Sequence, residues 1–271
     1  MDLIINTNRA IRNFFLIREL FSRREPTSDM AKFAMFFNDN FRDASLIQNK
    51  INKLDSERRN ALFTLLLDRN INRADDSDPE IKSIISSLAD MQLEINSDES
   101  TSDAASMLAG QYKKLESNLA SWISKIFGFD LPNHLDVLLY VGPFFGQGRY
   151  ITANPPAVSL AFEEYKESKI SVLTHELLHY LIEKSGIKTD LAAVGQSFEE
   201  ALLDYFCPNG IMDEKLGLIS KLDLDAHQRI QSALRPASKS SSEKLLPAIK
   251  EYYKQCGDTT IWDFLKRRQI Y

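Results

Sequence analysis

Between Val172 and Leu181 the chain reads Val-Leu-Thr-His175-Glu176-Leu-Leu-His179-Tyr-Leu, and no other segment limits the fold so tightly. Val172, Leu173, Leu177, Leu178 and Leu181 supply apolar faces with helical spacing, and Glu176 is the only charged residue between the two histidines. On a helix, residues four apart lie on one face with Cβ atoms about 6 Å apart. Two imidazoles so placed can converge on one Zn²⁺ at about 2.0–2.1 Å per bond. Glu176, one residue beyond the first histidine, can reach an attacking water without being a ligand and take its proton. With four histidines in 271 residues, His-Glu-x-x-His arises from composition alone roughly 0.01 times, so a helix with merely satisfied histidines is the weaker reading.

A catalytic zinc needs a third protein ligand and an open position. A metzincin pattern would place Gly three residues, and His six residues, after His179; Ile182 and Ser185 stand there instead. The segment Phe198-Glu199-Glu200-Ala-Leu-Leu-Asp204-Tyr205 offers a carboxylate on a second helix, with Phe198, Ala201, Leu202 and Tyr205 as its buried stripe. Glu200 is the expected third ligand. Asp204, one turn later, is expected to accept the Nδ1 hydrogen bond of a liganding histidine. Glu199 competes with Glu200, set about 100° away on the helix and without an Asp four residues later. Gly186 suits the end of the first helix.

His175-Glu176-Leu-Leu-His179, with Glu200-Ala-Leu-Leu-Asp204 beginning 21 residues after His179, resembles the gluzincin branch of the zincin metallopeptidases. The resemblance covers about residues 135–206. It implies a zinc peptidase acting on a peptide or protein substrate, and a sheet whose edge strand aligns an extended peptide above the ion. The segment 157–163 is the expected edge strand. Gluzincins commonly stabilise the oxyanion with a His or Tyr after the third ligand, and His227, Tyr252 and Tyr253 are the candidates. Each also has a plainer reading, an exposed histidine in a polar helix and a packing pair on the last long helix. Arg149 and Tyr150 could line the cleft. Cys207 has no His or cationic neighbour in sequence and is not read as a nucleophile.

The rest of the chain is read as α+β and mostly helical. A zincin-like core, 129–206, holds a small sheet plus the active-site helix, flanked by helical regions at 1–128 and 207–271. In the first, Ile11, Phe14, Phe15 and Ile17, then Phe33, Phe36, Phe37 and Phe41, recur at helical steps, and a third run carries Leu62, Phe63, Leu65, Leu66 and Leu67. Thr27, Ser28 and Asp29 are plausible caps. A helix is expected from Glu80 to Ile95, a polar loop over 97–103, and a helix striped by Leu108, Tyr112, Leu115, Leu119, Trp122 and Ile126. Strands are expected over 134–141, 149–153 and 157–163, the last with one buried face, and helices near 169–184 and 197–206. The tract after Pro236, up to Ser242, is expected to interrupt the helices of the C-terminal region.

A net charge of −5 gives no basis for general nucleic-acid binding. No apolar run reaches the roughly 18–20 residues of a membrane span, and Asp2, Arg9 and Arg12 do not suit a secretory signal, so a cytoplasmic protein is expected. The Phe-rich N-terminal helices are a core first and a partner surface second. The rival to the peptidase is a catalytically silent zincin-like module that binds or regulates through its helical half.

Overall fold

A computed structural model describes residues 1–6, 8–22, 41–67, 78–91, 98–141, 148–153, 156–162, 169–187 and 196–270. Four strands make one mixed sheet: β1 (Asp2–Asn6), β2 (His134–Val141), β3 (Gly148–Ala153) and β4 (Pro156–Phe162). Their spatial order is β1-β2-β4-β3. β1, β2 and β4 run parallel, with Ile5 opposite Val137 and Val137 opposite Val158. β3 runs antiparallel to β4, Tyr150 opposite Val158, with a register shift between Tyr150 and Thr152.

Both faces of this sheet are covered, which is why β2 is almost continuously apolar. Leu135, Val137 and Leu139, with Val158 and Leu160, enter one core, while Leu138 enters the other. On the Leu138 side lie α1 (Arg9–Ser22), α2 (Phe41–Lys53), α3 (Ser56–Leu67) and α4 (Pro79–Asp90). α4 starts at Pro79 because Asp78 accepts the Glu80 amide and proline loses nothing at the first helical position. The opposite side carries α5 (Asp98–Phe127) and α6 (Ile170–Ser185), then α7 (Gln196–Asp204), α8 (Ile211–Lys215), α9 (Leu224–Leu234), α10 (Lys239–Lys254) and α11 (Ile261–Arg267).

The mostly helical α+β class is as expected; the α1 stripe is buried where it was read, while in α5 Leu108, Tyr112, Leu119 and Ile126 are buried and Leu115 and Trp122 only partly so. Several local readings need correction. The first region is not helical throughout: residues 2–6 form β1, three apolar residues too short to reveal a period, and they join the core sheet. The tract from 98 is helical rather than a loop, and Thr101 is fully buried as the acceptor of an Arg12 guanidinium bond. The helix begun at Pro79 ends at Asp90, while the second Phe run as far as residue 40, with its caps, lies outside the described residues. The Ser/Lys tract from Lys239 forms the first turn of α10, after a short 3₁₀ turn at Pro236–Ser238.

The expected edge strand is also corrected. β4 is internal, flanked by β2 and β3, and even Ser159 is 1 % exposed. The edge beside β4 is β3, because the chain reverses after it and inserts β4 between β3 and β2, and β1 is the opposite edge. Among the described residues, no helix is long and apolar enough to cross a membrane.

Candidate metal centre

α6 has no side-chain cap at its start, and its stability comes from burial: eleven of its sixteen residues are buried, from Ile170 to Ile182. It ends at Gly186, whose φ of 78° closes the last turn in the left-handed region. The helix packs on β3 and β4. Gly148, the first residue of β3, permits this approach: a Cβ there would stand 2.6 Å from Val172 Cγ1 and 3.0 Å from Glu176 Oε1. Glu176 is thereby pressed against the edge strand, where it also accepts the Tyr150 backbone N–H.

His175 Nδ1 lies 2.8 Å from the Cys207 carbonyl oxygen, and His179 Nδ1 lies 2.7 Å from Glu199 Oε1. A carbonyl and a carboxylate can only accept, so both Nδ1 atoms carry the proton. In the neutral rings each Nε2 then presents a lone pair. Those Nε2 atoms are 3.2 Å apart; Glu200 Oε1 is 3.4 Å from His179 Nε2, and Glu200 Oε2 is 3.7 Å from His175 Nε2. Two lone pairs and a carboxylate at such range repel unless a cation lies among them. Three donors bound tetrahedrally at about 2.0–2.1 Å would stand about 3.3–3.4 Å apart. The cluster fits one metal ion, and His175, His179 and Glu200 can hold it.

The turn after α7 delivers the Cys207 carbonyl. Ile211 and Met212 N–H groups return to the Tyr205 and Phe206 carbonyls, both at 2.9 Å. Gly210 is required there, because a Cβ would meet Tyr205 O at 2.4 Å. The buried Asp213 carboxylate accepts the Asn209 amide and the Ser171 hydroxyl, tying this turn to the start of α6. Cys207 thus serves through its backbone, and burial pushes its thiol well up.

Burial raises the Glu176 carboxyl above the ordinary range. Burial acts the same way on Glu200; His175 and His179, when protonated, outweigh it together with Arg235 and hold that carboxyl low, and when the rings are neutral Arg235 alone pulls it down. Arg235 is the residue that sequence reasoning missed. Its Nη1 donates to Glu200 Oε2 and lies 3.2 Å from Asp204 Oδ1. It stands at the end of α9, where no spacing rule links it to α7.

Two assignments made from the sequence change. Asp204 does not take a histidine Nδ1 bond; it faces Arg235, and the longer Glu199 side chain, buried one position before Glu200, occupies that place. His227 is buried rather than exposed, with its Nε2 2.5 Å from the Asp204 carbonyl oxygen, so it braces the end of α7 rather than facing a substrate. The tyrosines are engaged elsewhere: Tyr252 donates to Thr259 O at 3.0 Å, and Tyr253 to Glu214. Tyr150 stands beside Glu183, while the Arg149 side chain lies outside the described residues. No protein family, curated protein or solved structure matches this chain.

Proposed function

We propose that the protein is a zinc-dependent peptidase of the gluzincin type, with the ion held by His175, His179 and Glu200. One observation carries this reading: both histidines spend Nδ1 on acceptors, so their Nε2 atoms meet Glu200 within 3.7 Å and close to tetrahedral spacing. Two His and one carboxylate form a donor set suited to a catalytic zinc with an open position. When bound, the ion supplies Lewis acidity that polarises a peptide carbonyl and acidifies water.

The remaining work falls to side chains. The Glu176 carboxylate accepts the proton of the attacking water and passes it to the leaving amine, and its burial-raised pKa suits both transfers. Gly148 keeps the edge strand close to that carboxylate. An extended peptide pairing with β3 would bring its backbone past Glu176, in the manner of strand addition to a sheet edge.

The test compares metal content and cleavage of a broad peptide library for wild type, His175→Ala, Glu200→Ala and Glu176→Gln. Stoichiometric zinc in wild type, its loss in the first two variants, and retained zinc without turnover in Glu176→Gln are expected. Full activity in Glu176→Gln removes the mechanism. Zinc in wild type with no peptide cut leaves the silent binding module as the reading.

A further inference from the structure

We propose that Glu199 is the carboxylate that positions His179 for metal binding, and that Asp204 instead positions Glu200, through Arg235. This rests on the metal centre proposed above and concerns residues outside its ligand set. The His-Glu-x-x-His and Glu-x-x-x-Asp spacing assigns the supporting carboxylate to Asp204. The observed contacts divide the duties differently.

Glu199 is buried, and its Oε1 is 2.7 Å from His179 Nδ1, a length typical of a charge-assisted bond. That bond does two things. It fixes the tautomer so that Nε2 is free to ligate, and it stops rotation of a ring whose Nε2 faces His175 and Glu200. His175 needs no such carboxylate, because the Cys207 carbonyl holds its Nδ1 at 2.8 Å. The two histidines therefore have unequal support, one from a full negative charge and one from a neutral dipole.

Asp204 cannot share this task. Its Oδ1 lies against Arg235, whose guanidinium donates onward to Glu200 Oε2. The cation thus ties one oxygen of Glu200 and leaves Oε1, 3.4 Å from His179 Nε2, as the ligating atom. Asp204 acts on the ligand through Arg235, and Arg235 keeps its own direct contact with Glu200. Removing the Asp204 charge should then perturb the centre less than removing the Glu199 charge.

The experiment measures zinc affinity by competition with a chromophoric chelator for wild type, Glu199→Leu, Glu199→Gln and Asp204→Asn. Circular dichroism and the melting temperature of each metal-free variant establish folding, and visible spectra of the cobalt forms report ligand geometry. Glu199→Leu should bind zinc about 10–100-fold more weakly, the usual effect of losing a histidine's supporting carboxylate. Glu199→Gln, which keeps an acceptor for Nδ1–H but not the charge, should lie between that variant and wild type. It also serves if the leucine variant fails to fold. Asp204→Asn should weaken zinc binding by only about two- to threefold and shift the cobalt spectrum as Glu200 is held less firmly, and an Asp204→Asn protein identical to wild type in both overturns the Asp204 role. The proposal is overturned if Asp204→Asn loses as much as the Glu199 variants, or if both folded Glu199 variants bind zinc like wild type. A wild type that binds no zinc defeats the metal centre itself and this proposal with it, an outcome distinct from either.

Discussion

The two faces of the sheet bury polar groups in opposite ways. On the α1 side, Asn13 is buried, but its Nδ2 donates to the Leu88 and Met91 carbonyls at 2.7 and 2.8 Å. Those are carbonyls at the end of α4, which no intrahelical donor can satisfy. The amide closes a helix end. On the α6 side, His175 is buried and His179 and Glu200 are largely so, and the His175 Nε2, His179 Nε2 and Glu200 carboxylate atoms of these two helices point at one another instead of at backbone ends. A buried polar group that completes a ladder is architecture. A group of them with lone pairs converging on a common point is chemistry, because nothing in the fold itself rewards that convergence.

Mutations on each face test whether the two act separately. Ile11→Ala removes a fully buried side chain from the α1 core and should cost about 2–5 kcal/mol in denaturant unfolding. Zinc affinity of the folded fraction should stay as in wild type, and a parallel loss would mean the two faces are not independent. Gly148→Ala should cost about 1–3 kcal/mol through the close approach to Val172. Unlike the Ile11 change, it should also lower any turnover by the proposed peptidase by displacing Glu176, while the zinc affinity of His175 and His179 is kept. Asn13→Ala leaves the Leu88 and Met91 carbonyls without this donor and should cost about 1–3 kcal/mol, with no effect on zinc affinity. Smallest is the pH response of His227, whose pKa burial pulls below the ordinary 6.5. Below that value the unfolded chain takes up a proton that the native state refuses, so stability falls as pH falls. His227→Gln should flatten this part of the stability curve without altering metal content.

The motif on α6 was legible because its meaning is local. A four-residue spacing on an apolar helix puts two imidazoles on one face whatever the helix packs against, and Glu200 followed from the next amphipathic segment. The order of the strands was not legible: 157–163 has the alternation of a half-buried strand, yet both its faces are covered and β3 lies outside it. Alternation reports side-chain polarity, and Ser159 is small enough to be buried. Nor was the choice between Glu199 and Asp204, since both can reach a ring nitrogen and only the approach of α7 to α6 selects one.

By itself, then, the amino-acid order determined which residues share a helix face: His175 with His179, and Glu200 with Asp204. The pitch of a backbone closed by its own hydrogen bonds imposes this without help. Which partners meet them was decided only when the helices docked. The Cys207 carbonyl behind His175, Glu199 behind His179 and Arg235 beside Glu200 come from a turn, a neighbouring position and a distant helix end. Apolar packing sets where those segments lie, and it acts on area and shape without regard to the spacing of the residues it brings together.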